Sequence, residues 1–461
     1  MQRKKLVIIG AGSAMFTRGL VADLIISGRP WHLGLVDVDP KALQVAEGLS
    51  RRMIQAKDAD VTLESSVDRR DVLPGTDVVV TTIGVGGRRG WEADVYIPRK
   101  YGIFQPVGDT AMAGGISRAM RLIPAMVDIA NDVVRLCPEA HFFSYANPMS
   151  VICWAVRKVT PAKIVGLCIG VYDVQEELAD FIGKPRDEVT AQAVGLNHFT
   201  WVYDLRWKGQ DAWGLVRERL AREKALGLRE AGVAESVAPG GDTTRAPAGW
   251  APDARCAANP FSWSLFEAYG AYPAVNDRHV TEFFPERFPE GCYYGKQLGV
   301  NAYSFEGTIA SGDRIYQEMR AQATGEKPLD VAVFDRAAGE HSQLLEILIS
   351  IEEDGRRFAT ANLPNRGAVP ALPAEAILET TCSATGRGLQ PLHVADFPAS
   401  LASPLIRKIA AHQLTVEAAL TGSRKLFVEA LLADGCVSDP AVAGKLADEL
   451  LAAHKANLPQ F

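Results

Sequence analysis

Only seven of the 461 residues are cysteines, and no two of them form a CxxC pair. An odd, dispersed set argues against a disulfide framework and for reduced thiols in the cytoplasm, most of them inert core residues. Long hydrophobic runs are also missing. The first, Leu6–Ile9, follows Met1-Gln2-Arg3-Lys4-Lys5 and is too short for a signal-peptide core or a membrane span. No later stretch reaches span length. No basic run occurs, and the net charge is −6. Neither nucleic acid nor an anionic membrane is therefore an expected partner.

What remains is ordinary globular material, 48% hydrophobic and 23% charged. The chain is too long for one compact core. Residues 1–195 alternate apolar strands (Leu6–Ile9, Leu33–Val36, Val78–Ile83, Ala140–Tyr145, Lys163–Cys168) with amphipathic helices such as Met120–Val134. That pattern predicts an α/β, Rossmann-like, doubly wound parallel sheet. Residues 196–461 predict a mixed α+β domain packed onto the first. Thr200–Trp207 alternates like an antiparallel strand, and Trp213–Arg229 and Leu265–Tyr269 have helical patterns. Strand-like pieces recur at Asn301–Phe305 and Ala368–Pro370. Helices are expected over Arg336–Ile351, Pro404–Asp434 and Pro440–Leu458, and an irregular loop or flap over Ala238–Asn259.

The first strand runs into Gly10-Ala11-Gly12-Ser13-Ala14-Met15, with a helix after it. Glycines there permit a tight turn and a close approach of pyrophosphate, and the helix N-terminus supplies N–H donors. Met15 stands where the third glycine of GxGxxG belongs. The second strand ends at Asp37, whose carboxylate suits the ribose hydroxyls of NAD and repels the 2′-phosphate of NADP. Gly84 lies in a third small-residue segment at a strand end, Thr81–Gly87. Cys168 and His198 also close strands, and thiolate plus imidazole suits a transition metal with positions left open for substrate oxygens. Spacing alone leaves both readable as core cysteine and satisfied histidine.

At this point the sequence resembles glycoside hydrolase family 4, the NAD- and divalent-metal-dependent glycosidases of the α-glucosidase, α-galactosidase and α-galacturonidase type. The resemblance lies in Gly10–Ser13, Tyr96–Gly102, Val107–Thr110 with Gly114, Gly115 and Arg118, and Asn147-Pro148-Met149. It continues in Gly166–Cys168, Gly195–His198, Glu417–Gly422 and Asn457–Gln460, so it covers nearly the whole chain in order. The resemblance implies transient oxidation of the sugar at C3, deprotonation at C2 and elimination at C1, a route unlike two-carboxylate hydrolysis. It implies NAD and Mn²⁺ or another divalent ion as cofactors, with Cys168 and His198 as metal ligands and Asn147 at the substrate. It places the catalytic base, a Tyr or an Asp, in Gly270–His279, where Tyr272 and Asp277 are candidates, with Asp109 assisting. It also implies that residues 196–461 are the substrate, metal and oligomerisation domain of a homodimer or homotetramer. Ile169 follows Cys168 where much of the family carries His, Asp or Asn, and isoleucine can neither donate a proton nor hydrogen-bond a sugar, so this position supplies no leaving-group acid. The lack of a 6-phosphate signature there favours unphosphorylated α-hexosides or hexuronides. Two alternatives remain: a malate- or lactate-type 2-hydroxy-acid dehydrogenase, and a non-catalytic NAD-binding sensor.

Overall fold

The computed structural model describes residues 3–225, 259–335 and 342–461. Apart from Asn259, the loop expected over Ala238–Asn259 lies outside them. So do the end of the helix expected over Trp213–Arg229 and the start of that over Arg336–Ile351.

The N-terminal half forms β1 (Lys4–Ile9), α1 (Thr17–Ile26), β2 (Trp31–Val36), α2 (Pro40–Ala56), β3 (Val61–Ser66), α3 (Arg69–Val72), β4 (Val78–Thr81) and α4 (Gly87–Arg99). Next come α5 (Met112–Leu136), β5 (His141–Ser144), α6 (Met149–Val159), β6 (Val165–Gly166) and α7 (Gly170–Phe181). These strands are parallel and lie in the order β3-β2-β1-β4-β5-β6, so the order reverses between β1 and β4. The crevice at that switch, beyond the strands' C-terminal ends, is where open α/β sheets bind their ligands. The strands are apolar because both faces are covered: Leu6, Val7 and Ile8 are wholly buried.

The chain continues with β7 (Val189–Leu196), β8 (Phe199–Trp207), β9 (Gln210–Asp211), α8 (Trp213–Ala225), α9 (Pro260–Tyr269), β10 (Tyr272–Ala274) and α10 (Asp277–Val280). A small hairpin of β11 (Cys292–Tyr293) and β12 (Lys296–Gln297) precedes α11 (Phe305–Thr324), α12 (Ser342–Glu353), β13 (Arg357–Pro364), β14 (Ile377–Thr385) and β15 (Gly388–Pro391). The last helices are α13 (Ala399–Thr421), α14 (Arg424–Asp434) and α15 (Pro440–His454). The parallel sheet does not stop at β6. Asn362 of β13 pairs with Gly166, and β14, β7, β8 and β10 follow, all antiparallel. Residue 195 falls near the end of β7, so one continuous mixed sheet crosses the expected boundary.

Two expected strands are not strands. Asn301–Ser304 turns into the N-terminus of α11, where the Ser304 hydroxyl accepts from the Gly307 N–H. Ala368 sits in a turn closed by Asn365, whose side chain accepts from the Val369 N–H. In both, a short polar side chain satisfies the backbone locally and displaces a ladder.

Candidate active site

The first βα turn is built as a nucleotide cradle. Gly10 has φ +92°, and a Cβ there would meet the Thr82–Ile83 backbone at 2.9 Å. Its N–H and that of Ala11 both donate to the Val36 carbonyl, which closes the turn onto β2. Asp37 lies at that strand's end. Its Oδ2 accepts from the Gly12 N–H at 2.8 Å and its Oδ1 from the Asp39 N–H at 2.9 Å. Ser13 Oγ accepts from the Phe16 N–H at 3.3 Å, just ahead of α1, and Met15 and Val38 are exposed beside the turn. Gly84 lies beyond β4, and a side chain there would meet an Arg118 terminal nitrogen at 3.6 Å.

Arg118 joins this cradle to a second group of residues. Its Nε–H donates to the Asn147 carbonyl at 3.0 Å. Asn147 follows β5, in a cis peptide bond with Pro148. Its Nδ2 donates to Asp109 Oδ2 at 3.0 Å, while its buried Oδ1 has no hydrogen-bond partner among the described residues. Asp109, in the loop before α5, gathers with His198 and His279. One ligating atom of each lies within 4.8 Å of the others.

His198 owes its place to a two-residue turn. Leu196 pairs with Phe199, so Asn197 and His198 alone connect β7 to β8, and His198 takes φ +69°. A non-glycine residue held in that region is costly unless its surroundings over-determine it. Here a buried network does so. Asn197 Nδ2 and Asn362 Nδ2 both donate to Glu379 Oε2, the Thr200 hydroxyl donates to Glu379 Oε1, and Asn197 N–H donates to Ser150 Oγ.

The network also selects a tautomer for His198. Thr110 Oγ1 lies 2.7 Å from Asp109 Oδ1 and 2.9 Å from His198 Nδ1. A carboxylate only accepts, so the single hydroxyl hydrogen goes to Asp109 and Nδ1–H donates to Thr110. The Nε2 lone pair is then the one left for a ligand, the arrangement that metal-binding histidines use. Burial holds the imidazoles of His198 and His279 below the usual histidine range, which favours their neutral, ligating form.

The other expected site residues stand differently. Cys168, just beyond β6, accepts from the Gly170 N–H at 3.4 Å and is not one of the three clustered residues. Ile169 after it is buried. Asp277 is wholly buried and accepts from Phe261 N–H, Ser262 N–H, the Ser262 hydroxyl and the Tyr293 hydroxyl at 2.6–2.7 Å. Four donors fill the lone-pair directions of a carboxylate, so this side chain serves as the N-terminal anchor of α9. Tyr272 packs its ring 4.8 Å from that of Trp263, in an apolar cluster with Val174, Trp213 and Phe266. The roles of His279, Thr110 and Glu379 went unforeseen. His279 and Thr110 carried a signal, since they close the Gly270–His279 and Val107–Thr110 stretches of the family resemblance, and Glu379 carried none.

The fold and site define a dinucleotide-binding-type α/β protein in which a carboxylate and two imidazoles converge. Two family models match the chain: family 4 glycosyl hydrolase over residues 5–184, and the family 4 glycosyl hydrolase C-terminal domain over residues 193–437. The chain belongs to glycosyl hydrolase family 4. It is 30% identical to an α-galacturonidase of Bacillus subtilis over 97% of this chain and 96% of that one. With an α-glucosidase of Erwinia rhapontici the identity is 29%, over 93% of each. Among solved structures, it superposes on a 6-phospho-α-glucosidase from gut microorganisms, in complex with NAD and Mn²⁺, with a TM-score of 0.81. That match covers 100% of both chains at 17% identity and so speaks for the fold.

Proposed function

We propose that this chain is a cytoplasmic, NAD- and divalent-metal-dependent glycosidase of unphosphorylated α-hexosides or hexuronides, active as a homodimer or homotetramer. The observations that carry the reading are a Gly10–Asp37 cradle in the first βα turn and the Asp109, His198 and His279 cluster, with Arg118, beside Gly84, donating to the carbonyl of Asn147, which in turn holds Asp109. The donor set fits a divalent transition metal: one carboxylate oxygen, the buried imidazole of His198 and the half-buried imidazole of His279, with an orphaned amide oxygen on Asn147 beside them. Cys168 is the thiolate that the family resemblance adds. When bound, NAD⁺ supplies a hydride acceptor and the cation a Lewis acid for the sugar's O2 and O3.

The protein's own residues account for the rest. Gly10 and Gly12 let a pyrophosphate approach the backbone, and Asp37 meets the ribose. Asn147 Oδ1 is placed to receive a sugar hydroxyl. Asp109 is the proton-handling group of the reading, because its carboxylate stands in the cluster, whereas the Asp277 carboxylate already accepts four hydrogen bonds. The α-galacturonidase and α-glucosidase relatives support unphosphorylated α-glycosides as the substrate class.

The test is a panel of nitrophenyl glycosides of both anomers, incubated with NAD⁺ and Mn²⁺ in D₂O. Release of nitrophenol with deuterium at C2 of the sugar and no net change in NADH is the expected result. Steady NADH accumulation would point to a dehydrogenase, and NAD binding without turnover to a sensor.

A further inference from the structure

The loop 101–111 carries Asp109 yet belongs to no helix or strand. Its backbone donors must therefore find partners elsewhere. Two of them, the N–H groups of Val107 and Gly108, donate to the same atom, Glu282 Oε1, at 2.8 and 2.7 Å. Glu282 is 2% exposed. It sits three residues after His279, in the 3₁₀ turn Thr281–Phe283 that continues α10. One rigid turn of chain thus presents an imidazole to the cluster and grips the loop that brings the carboxylate. The loop is held from behind as well, since Gln105 donates to the Asp94 carbonyl and accepts from the Gly114 N–H.

We propose that Glu282 is a positioning residue for the metal cluster: by receiving the Val107 and Gly108 amides on one oxygen, it fixes Asp109 relative to His198 and His279. The proposal rests on the reading that this cluster holds a divalent cation. Removal of the acceptor leaves two buried N–H groups unsatisfied, and the loop shifts to recover them. The carboxylate of Asp109 then leaves its place, although no ligand has been altered. Burial, reinforced by the charge of Asp109, pushes the Glu282 carboxyl up to about 8, against the pull of the two amides. A neutral amide side chain of the same shape, with a carbonyl oxygen at the same point, therefore reproduces the interaction.

The experiment is Mn²⁺ titration followed by electron paramagnetic resonance on the purified full chain, with no substrate present. Glu282→Leu is expected to weaken Mn²⁺ binding by about 10- to 100-fold, the scale on which groups behind a metal ligand act. NAD⁺ affinity should hold, and Glu282→Gln should restore most of the loss. A Glu282→Leu protein with wild-type Mn²⁺ affinity and intact NAD⁺ binding overturns the proposal. So does a Glu282→Gln protein as weak as the leucine variant. If Glu282→Leu does not fold, amide exchange on the wild type decides. Val107 and Gly108 amides that exchange slowly, and more slowly with Mn²⁺, support the grip, and fast exchange refutes it. His198→Ala separates the two levels. Retained Mn²⁺ affinity there removes the metal reading itself, whereas its loss together with an unaffected Glu282→Leu removes only the positioning role.

Discussion

His198 and His279 face each other with ring centroids 4.1 Å apart and planes inclined by 56°. One comes from a hairpin turn and the other from a short helix far along the chain. Two neutral imidazoles gain little from this approach, whereas a cation between them and Asp109 would use both lone pairs. His279→Ala should therefore lower Mn²⁺ affinity by at least about tenfold, the lower end of the range for groups that support a metal site. His198→Ala should do the same or more. Elemental analysis of dialysed protein checks it, with Cys168→Ser beside it. If Cys168→Ser retains its metal and His279→Ala does not, the histidine and not the thiol completes the site.

Asp277 should behave as a structural residue. Asp277→Ala deprives Phe261, Ser262 and Tyr293 of a common buried acceptor. The cost is on the order of 1–3 kcal/mol for each donor left unsatisfied. Denaturant unfolding should show the loss, while folded enzyme keeps the C2 exchange that Asp109→Asn removes. A fully stable Asp277→Ala protein without C2 exchange would restore the carboxylate to the chemistry.

The sequence made the nucleotide half of this site readable as a unit, and named Asp109 and His198 of the other half without showing that they meet His279. Gly10, Gly12 and Asp37 are local: a strand, a turn and the next strand end place them, and each step leaves a composition signal. The metal cluster is assembled from Asp109, His198 and His279, which only the folded sheet edge brings together. Glu379 has no pattern at all, and Thr110, although it closes the Val107–Thr110 motif, has a role that follows only from which polar atoms are buried nearby. Strands β3 and β13 escaped for a related reason. Val61–Ser66 is mostly half-exposed at the sheet edge, and Arg357–Pro364 starts exposed and turns apolar only midway. Neither gives a clean period-two signal.

Asp37 should select NAD over NADP. Its Oδ2 already holds the Gly12 N–H, so Asp37→Ala removes both a ribose acceptor and a brace of the turn. NAD⁺ affinity should fall by roughly 1.5–3 kcal/mol, the scale of hydrogen bonds to a charged group. Calorimetric titration with NAD⁺ and NADP⁺ measures it. Equal affinity of the wild type for the two would count against the assignment.

Asp94 and Arg121 form an ion pair with both side chains wholly buried, at 2.6 Å. Asp94 also accepts from the Ser117 hydroxyl and lies 2.9 Å from His454 Nε2, which ties α15 to α4 and α5. Hydrogen bonds to Arg121 and His454 hold the Asp94 carboxyl below its usual range, against the burial that pushes it up. Asp94→Leu strands the Arg121 charge and should cost about 3–5 kcal/mol. Adding Arg121→Met removes the stranded charge and should recover a good part of that. Urea unfolding of the single and double variants gives the comparison, and a double variant no better than the single would argue that packing, not charge, is at stake.

His412, on α13, predicts how stability depends on pH. It is 6% exposed, its Nδ1 has no hydrogen-bond partner among the described residues, and burial pushes its pKa down from 6.5 to about 4. Lys408 pushes the same way, while Asp434 opposes it. The unfolded chain takes up a proton as the pH drops through about 6.5, and the folded chain resists until about 4. Between those values the unfolded state binds more protons, so the stability present at pH 7.5 is progressively lost on acidification. His198 and His279 shift in the same direction and add to the slope in metal-free protein. His412→Leu fills a similar volume and cannot titrate. Between pH 7.5 and pH 5 it should lose less stability than the wild type, by on the order of 2 kcal/mol. Unfolding free energies at the two pH values test this in chelator-treated protein. If the variant and the wild type lose stability equally, His412 is not the group that the acid attacks.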